Sequence, residues 1–224
     1  MTPSALPLLS PLETRVLGVL IEKQTTTPDA YPLTVNSLVA GCNQKTSRHP
    51  VMNVSEEEVQ MALDALKRQT LVIDSSGASG RVMRYAHNLP KVLGVGQQMT
   101  ALIAVLMLRG PQTPGELRMG CDRMYKFADI SSVEAFLEDM ATRPAAALVV
   151  KLSKQPGSRE HRWAQLLSGP IDADADTGAA RETDEGITTG EVAALKANVA
   201  QLRDEMAELR ALVERLYQEL GVKR

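Results

Sequence analysis

The apolar positions fall into a sequence of helical and strand patterns that is written twice. Ser10 to Glu13 forms a Ser-x-x-Glu capping box with Pro11 at the first helical position, and Val16, Leu17, Leu20 and Ile21 follow at helical spacing. This predicts a first helix, and the turn-rich stretch from Thr25 to Pro32 ends it. A second helix is predicted from about Thr34 to Cys42, with Val35, Leu38 and Val39 turned inward. A polar connection leads to a second capping box, Ser55 with Glu58, and to a third helix whose inner face is Val59, Ala62, Leu63 and Leu66. Leu71 to Ile73 and Arg81 to Ala86 then alternate like two strands around a Ser/Gly-rich tip, Ser75 to Gly80.

The same order recurs further along. A helix is predicted over Gln97 to Arg109, broken by Gly110-Pro111, and the capping box of Thr113 and Glu116 opens a short helix. Ser131 with Glu134 is expected to cap a third helix carrying Val133, Phe136, Leu137 and Met140. Strands at Ala147 to Leu152 and Arg162 to Leu167 close around a tip at Gln155 to Ser158. Arg84-Tyr85-Ala86 and Arg162-Trp163-Ala164 occupy matching places. A repeated helix-helix-helix-strand-strand unit predicts a mainly α fold with small β wings (α+β): two tandem winged-helix domains, residues 1–90 and 91–168.

From Gly169 the composition shifts to Asp, Ala, Thr, Gly and Glu, which predicts a disordered acidic linker over 169–190. Asp172, Asp174 and Asp176 resemble the start of a calcium loop. Thr177 holds the place of the required glycine and no Glu stands at the twelfth position, so solvated linker is the expectation. Over 191–224, Val192, Val199, Met206, Val213 and Leu220 share one heptad position, and Leu195, Leu202, Leu209 and Leu216 share the other. That pattern predicts a C-terminal coiled-coil helix. Val at most a positions with Leu at d favours a parallel two-stranded coil, and therefore a homodimer.

Aromatic residues make up only 3% of the chain, so its cores must be built from Leu, Val, Ala and Met. The formal net charge of -2 gives no overall attraction for nucleic acid; the first repeat is near neutral, the second modestly basic and the tail acidic. Cys42 and Cys121 follow the second helix pattern of each repeat without a CxxC or Cys/His cluster, and are expected as buried thiols. Met1 to Leu9 lacks a positive segment and a long apolar run, and no stretch reaches the ~18 apolar residues of a membrane span. A cytoplasmic protein with no membrane partner is expected.

Tyr31-Pro32-Leu33, Cys42-Asn43-Gln44-Lys45, Arg48, Pro50-Val51, the run from Gly110 to Arg118 and Phe127-Ala128-Asp129 are longer strings. In these the chain resembles the bacterial YceH family from about Ser10 to Leu167. The resemblance implies tandem winged-helix domains and a dimer-forming tail, and it brings no activity with it. His49 departs from the acidic residue expected there.

In a DNA-reading helix-turn-helix, the third helix enters the major groove by its N-terminal end. Here that turn reads Ser55-Glu56-Glu57-Glu58, three carboxylates that suit the helix dipole but would face a polyanion. In the second repeat, Glu134, Glu138 and Asp139 repeat the problem. The best other surface for a macromolecule is the connection Asn43 to Pro50, where Lys45 and Arg48 are placed for phosphates and Asn43 and Gln44 for hydrogen bonds, together with Arg81 and Arg84 on the adjacent wing. The bland alternative is that the polar side chains satisfy loop backbone groups while Pro50-Val51 plugs the core. A second basic cluster, Lys151, Lys154, Arg159 and Arg162, surrounds the second wing.

His49, His87 and His161 lie far apart, with no nucleophile motif, phosphate-binding glycine loop or metal-ligand spacing. No catalytic, cofactor or metal residues are therefore expected. The sequence favours a non-enzymatic module that binds another macromolecule, with a protein as the first partner and DNA as the alternative.

Overall fold

A computed structural model of the chain describes residues 8–76, 82–154 and 160–171. All of these lie in one compact unit, Met1–Thr177. Most of the expected first tip (Ser75 to Gly80), all of the expected second tip (Gln155 to Ser158), the expected linker beyond Ile171 and the expected coil over 191–224 lie outside the described residues, as do Arg81 and Arg159.

Ser10 caps helix α1 (Pro11–Thr26) by accepting from Glu13 N while the Glu13 carboxylate accepts from Ser10 N. Two short elements follow: a 3-10 turn at Pro28–Ala30 and helix α2 (Val35–Cys42), capped by Thr34. Ser55 and Glu58 form the same reciprocal box at helix α3 (Glu56–Arg68), whose buried stripe is Val59, Ala62, Leu63 and Leu66. Strands β1 (Val72–Ser76) and β2 (Met83–His87) pair antiparallel, with Asp74 opposite Tyr85. A five-residue helix α4 (Leu89–Leu93), ended by Gly94 in the left-handed region, links to the second copy. There α5 (Gln97–Arg109), α6 (Pro114–Cys121) and α7 (Ile130–Ala141) precede the antiparallel pair β3 (Val149–Lys151) and β4 (Trp163–Gln165). The architecture is thus α+β, helices with two small antiparallel hairpins.

The cap of α7 differs from the expected Ser131 and Glu134. Asp129 is the N-cap, accepting from Ser132 N, so the helix starts two residues earlier and Ser131 lies inside it. A carboxylate at an N-cap satisfies the orphan N–H and complements the helix dipole together. The α4 turn was not anticipated either, being too short to show a period.

Structural equivalence between the copies extends to their packing. In each, the residue before the second helix's cap pairs with the aromatic of the second strand: Leu33 exchanges both backbone hydrogen bonds with Tyr85, and Gln112 with Trp163. Each copy also places a glycine of the second helix against a valine of the first. A Cβ on Gly41 would lie 2.6 Å from Val19 Cγ1, and one on Gly120 would lie 2.8 Å from Val105 Cγ1. Both glycines precede the buried cysteines, Cys42 and Cys121.

One apolar core runs through both copies. Residues Thr14 to Ile21 of α1 and Thr100 to Leu108 of α5 are buried all round, because the two helices pack on each other as well as on their own copies. Gly18 permits the approach: a Cβ there would meet Leu108 and Met107 at 3.0 and 3.2 Å. No helix among the described residues is long and apolar enough to cross a membrane.

Candidate macromolecule-binding site

The connection between α2 and α3 is held by its polar side chains, and this determines what it can offer a partner. Asn43 closes the loop on itself: its amide donates to Val54 O at 2.9 Å and accepts from Val54 N at 2.8 Å, as a backbone group would. Arg48, expected among the phosphate ligands, is turned inward and is 5% exposed. Its Nε donates to Gly41 O, Nη1 donates to Ser47 O and Glu22 Oε1, and Nη2 donates to Glu22 Oε2 at 2.6 Å and to Gln44 Oε1 at 2.7 Å. A guanidinium has five N–H donors. All are used, so Arg48 is not presented to a ligand, and half-buried Gln44 is tied to it through Oε1.

Beside it, Arg15 on α1 is 1% exposed and donates to Cys42 O at 3.0 Å and Pro50 O at 2.6 Å, leaving Nε unpartnered. Burial lowers its pKa against an opposing pull from Cys42, and the charge of Arg48 adds a smaller lowering. Two cations here have one carboxylate, Glu22. The remaining negative partner is the C-terminus of α2, whose last carbonyls, Gly41 and Cys42, receive one guanidinium each; a helix end carries about half a negative charge. Burial raises the Glu22 pKa, but the Arg48 hydrogen bonds and charge, with Lys23 at 3.3 Å, outweigh it and hold the carboxyl below its ordinary value. Burial likewise pushes the Cys42 thiol up to about 11 and Cys121 to about 12, against weaker opposing pulls from Arg15 and Arg48, and from Arg109.

The loop also reaches the other copy. His49 N donates to Leu108 O at 2.8 Å, and Arg109 Nη2 donates to Ser47 Oγ at 2.8 Å, capping the C-terminal end of α5. Ser47 adopts a left-handed φ of 60°, unusual for a residue with a side chain. The second copy has a shorter connection between α6 and α7 in which Met124 N and Tyr125 N satisfy Cys121 O, and a single arginine, Arg118 on α6, donates to Phe127 O at 3.4 Å and Ala128 O at 3.1 Å. Pro50 and Val51 do not plug the core as the bland reading expected. Both are exposed, Val51 to 58%, and it is the Pro50 carbonyl that reaches inward, accepting from Arg15 Nη2.

Of the other expected ligands, Lys45 is exposed and Lys154 is exposed. Arg84 is half-buried and donates to Pro32 O at 2.8 Å, tying the first hairpin to the 3-10 turn. Lys151 pairs with Glu138 at 3.2 Å and lies 5.4 Å from the Trp163 ring centre. The structure therefore separates the expected residues: Asn43, Gln44, Arg48 and Arg84 bind the protein itself, while Lys45 and Lys154 face solvent.

The third helices present the opposite sign. Glu56, Glu57 and Glu58 on α3, and Glu134, Glu138 and Asp139 on α7, are all exposed. Among the described residues, no group of three or more His, Cys, Asp or Glu is placed to hold a metal ion.

A family model described as "Protein of unknown function, DUF480" matches residues 9–158, most of the chain. The chain belongs to the DUF480 family. It is similar to a UPF0502 protein of Burkholderia multivorans, 55% identical over 221 residues that span 99% of this chain and 93% of that one. UPF0502 proteins of Burkholderia orbicola and Burkholderia cenocepacia are each 53% identical over 225 residues, with the same coverage. The DUF480 match takes in the whole arginine clamp, the first hairpin and α7, whereas Arg159 lies just beyond it.

Sequence reasoning missed Arg15 and Glu22 as partners of the loop. The signal was present: Val19 lies at i+4 from Arg15 and Glu22 at i+7, so the face opposite the inner stripe carries an apolar residue between opposite charges, and a cation buried there needs a partner. The repeated Gly-Cys pair at 41–42 and 120–121 was a second readable sign, since a glycine inside a helix disfavours it unless close packing needs it.

Proposed function

We propose that this is a non-enzymatic, dimeric tandem winged-helix protein that acts by binding another macromolecule, with a protein as primary partner. Each helix-helix-helix-hairpin copy is read as one winged helix, with Leu33 and Gln112 supplying the short third strand, and the tail beyond 190 as the dimerising coil. The observation that carries the reading is the exposed Glu56-Glu57-Glu58 turn opening α3. A phosphate backbone approaching that turn meets three carboxylates, and the nearby Arg48 is spent inside the fold.

DNA binding is the second reading. It is favoured by Lys45 and Lys154, which are exposed in the first loop and beside the second wing. Fluorescence anisotropy of mixed duplex fragments across a salt series separates the two. The protein-binding reading expects no saturable duplex binding even at low salt. Tight binding that weakens steeply with salt and falls in Lys45→Ala makes the protein a DNA-binding regulator instead. Lys45→Ala is the informative variant, because replacing Arg48 as well removes an internal clamp.

A further inference from the structure

We propose that the two copies are locked back to back and open as one body, with the α2–α3 loop of the first copy as the latch that carries a disturbance of one into the other. The coupling is independent of which partner the protein takes.

Domains joined by a short link move independently unless the surface between them is large and apolar. The seam between α1 and α5 is of the second kind. Thr14 to Ile21 and Thr100 to Leu108 are buried without a break, whereas α3 buries a single stripe. Gly18 lets the two helices close up, its missing Cβ leaving room for Leu108. Opening either copy alone therefore exposes apolar surface of both helices to water.

Polar contacts fix the copies to each other at three further places. The loop meets the end of α5, where His49 N donates to Leu108 O and Arg109 Nη2 donates to Ser47 Oγ. It cannot follow α5 away, because Arg48 ties it to Glu22 and Gly41 O, and Arg15 holds Pro50 O. Ser47 keeps its left-handed φ at this point, a conformation that persists in a residue with a side chain only where its surroundings hold it. At the second place, Leu9 N donates to Leu167 O and Thr14 Oγ1 lies 2.9 Å from Ser168 Oγ, fastening the start of α1 to the end of the second copy. At the third, Arg143, just past α7, donates to Leu93 O at 2.7 Å and pins the link at the end of α4. With these in place, loosening of one copy is felt by the other, and a partner bound to either stabilises both.

The chain carries its own reporters. Cys42 and Cys121 end the second helices of the two copies, each 0% exposed, so each thiol reacts only when its copy opens. The test is alkylation of the full chain by iodoacetamide across a urea series below the unfolding midpoint, with the two cysteines resolved by peptide mass spectrometry. Both thiols are expected to label at rates within about threefold of each other and with the same urea dependence. A difference of more than about tenfold would mean that one copy opens alone and overturns the proposal. Val149→Ala, at a 1% exposed position on β3 of the second copy, is expected to speed both thiols by roughly tenfold, and Val59→Ala on α3 of the first copy to do the same. Faster labelling confined to the altered copy overturns the coupling. Ser47→Ala with Arg109→Ala opens the latch outside the core and is expected to speed both thiols about three- to tenfold. Unchanged rates, or faster labelling of Cys42 alone, overturn the role of the loop.

Discussion

Replacing Arg48 by Ala removes the centre of the arginine clamp and is expected to cost the fold about 3 kcal/mol. The Arg48 side chain is 0% exposed and its partner Glu22 is 17% exposed. The variant deletes a bidentate ion pair and three further hydrogen bonds, to Gly41 O, Ser47 O and Gln44 Oε1. Removing one member of a buried pair costs ~3–5 kcal/mol, mostly from the charge left behind. The lower end applies because Glu22 retains Lys23 and some water. For a unit of this size the loss corresponds to a fall in Tm of roughly 6–12 °C. Urea and thermal unfolding measure it directly, and the single variant Glu22→Gln with the double variant Arg48→Ala, Glu22→Gln completes a cycle whose coupling should exceed ~1 kcal/mol. Arg48→Lys should recover only part of the loss, since an ammonium cannot supply the planar fork. A loss below ~1 kcal/mol in Arg48→Ala would refute the clamp and return Arg48 to the list of surface ligands.

Three further outcomes follow from the geometry. His87, 8% exposed, donates from Nε2 to Gln24 Oε1 while Nδ1 has no partner, and burial lowers its pKa from 6.5 to about 4. The unfolded chain takes up that proton first as pH falls, so stability should be flat above pH 6.5 and decline by roughly 3 kcal/mol on the way to pH 4; unfolding curves of His87→Gln should lack this part of the decline. Gly41→Ala and Gly120→Ala each push a methyl into a stiff β-branched valine and should cost about 1–3 kcal/mol by urea unfolding; an effect in one copy alone would count against equivalent packing. Ending the chain at Gly169 should yield a monomer at micromolar concentration by light scattering, and a persistent dimer would show that the tail does not join the chains.

The local elements could be read from the order of residues alone. Ser10, Thr34, Ser55 and Thr113 are short-range signals, each a side chain that satisfies backbone donors within three residues, and so they were legible without the fold. The inner stripes of α3 and α7 were legible for the same reason, because helical period and burial are tied by geometry. The failures were those where two local solutions compete, as at Asp129 and Ser131. The role of the polar loop depends instead on contacts made across the fold. Lys45 and Arg48 are alike as letters in a hydrophilic run, yet Arg48 is drawn inward by a carboxylate 26 positions earlier and by the end of α2, partners with no periodic relation to it. The packing of α1 on α5 was equally invisible, since it joins apolar faces from separate copies, and a stripe of apolar residues states that it will be buried without stating against what.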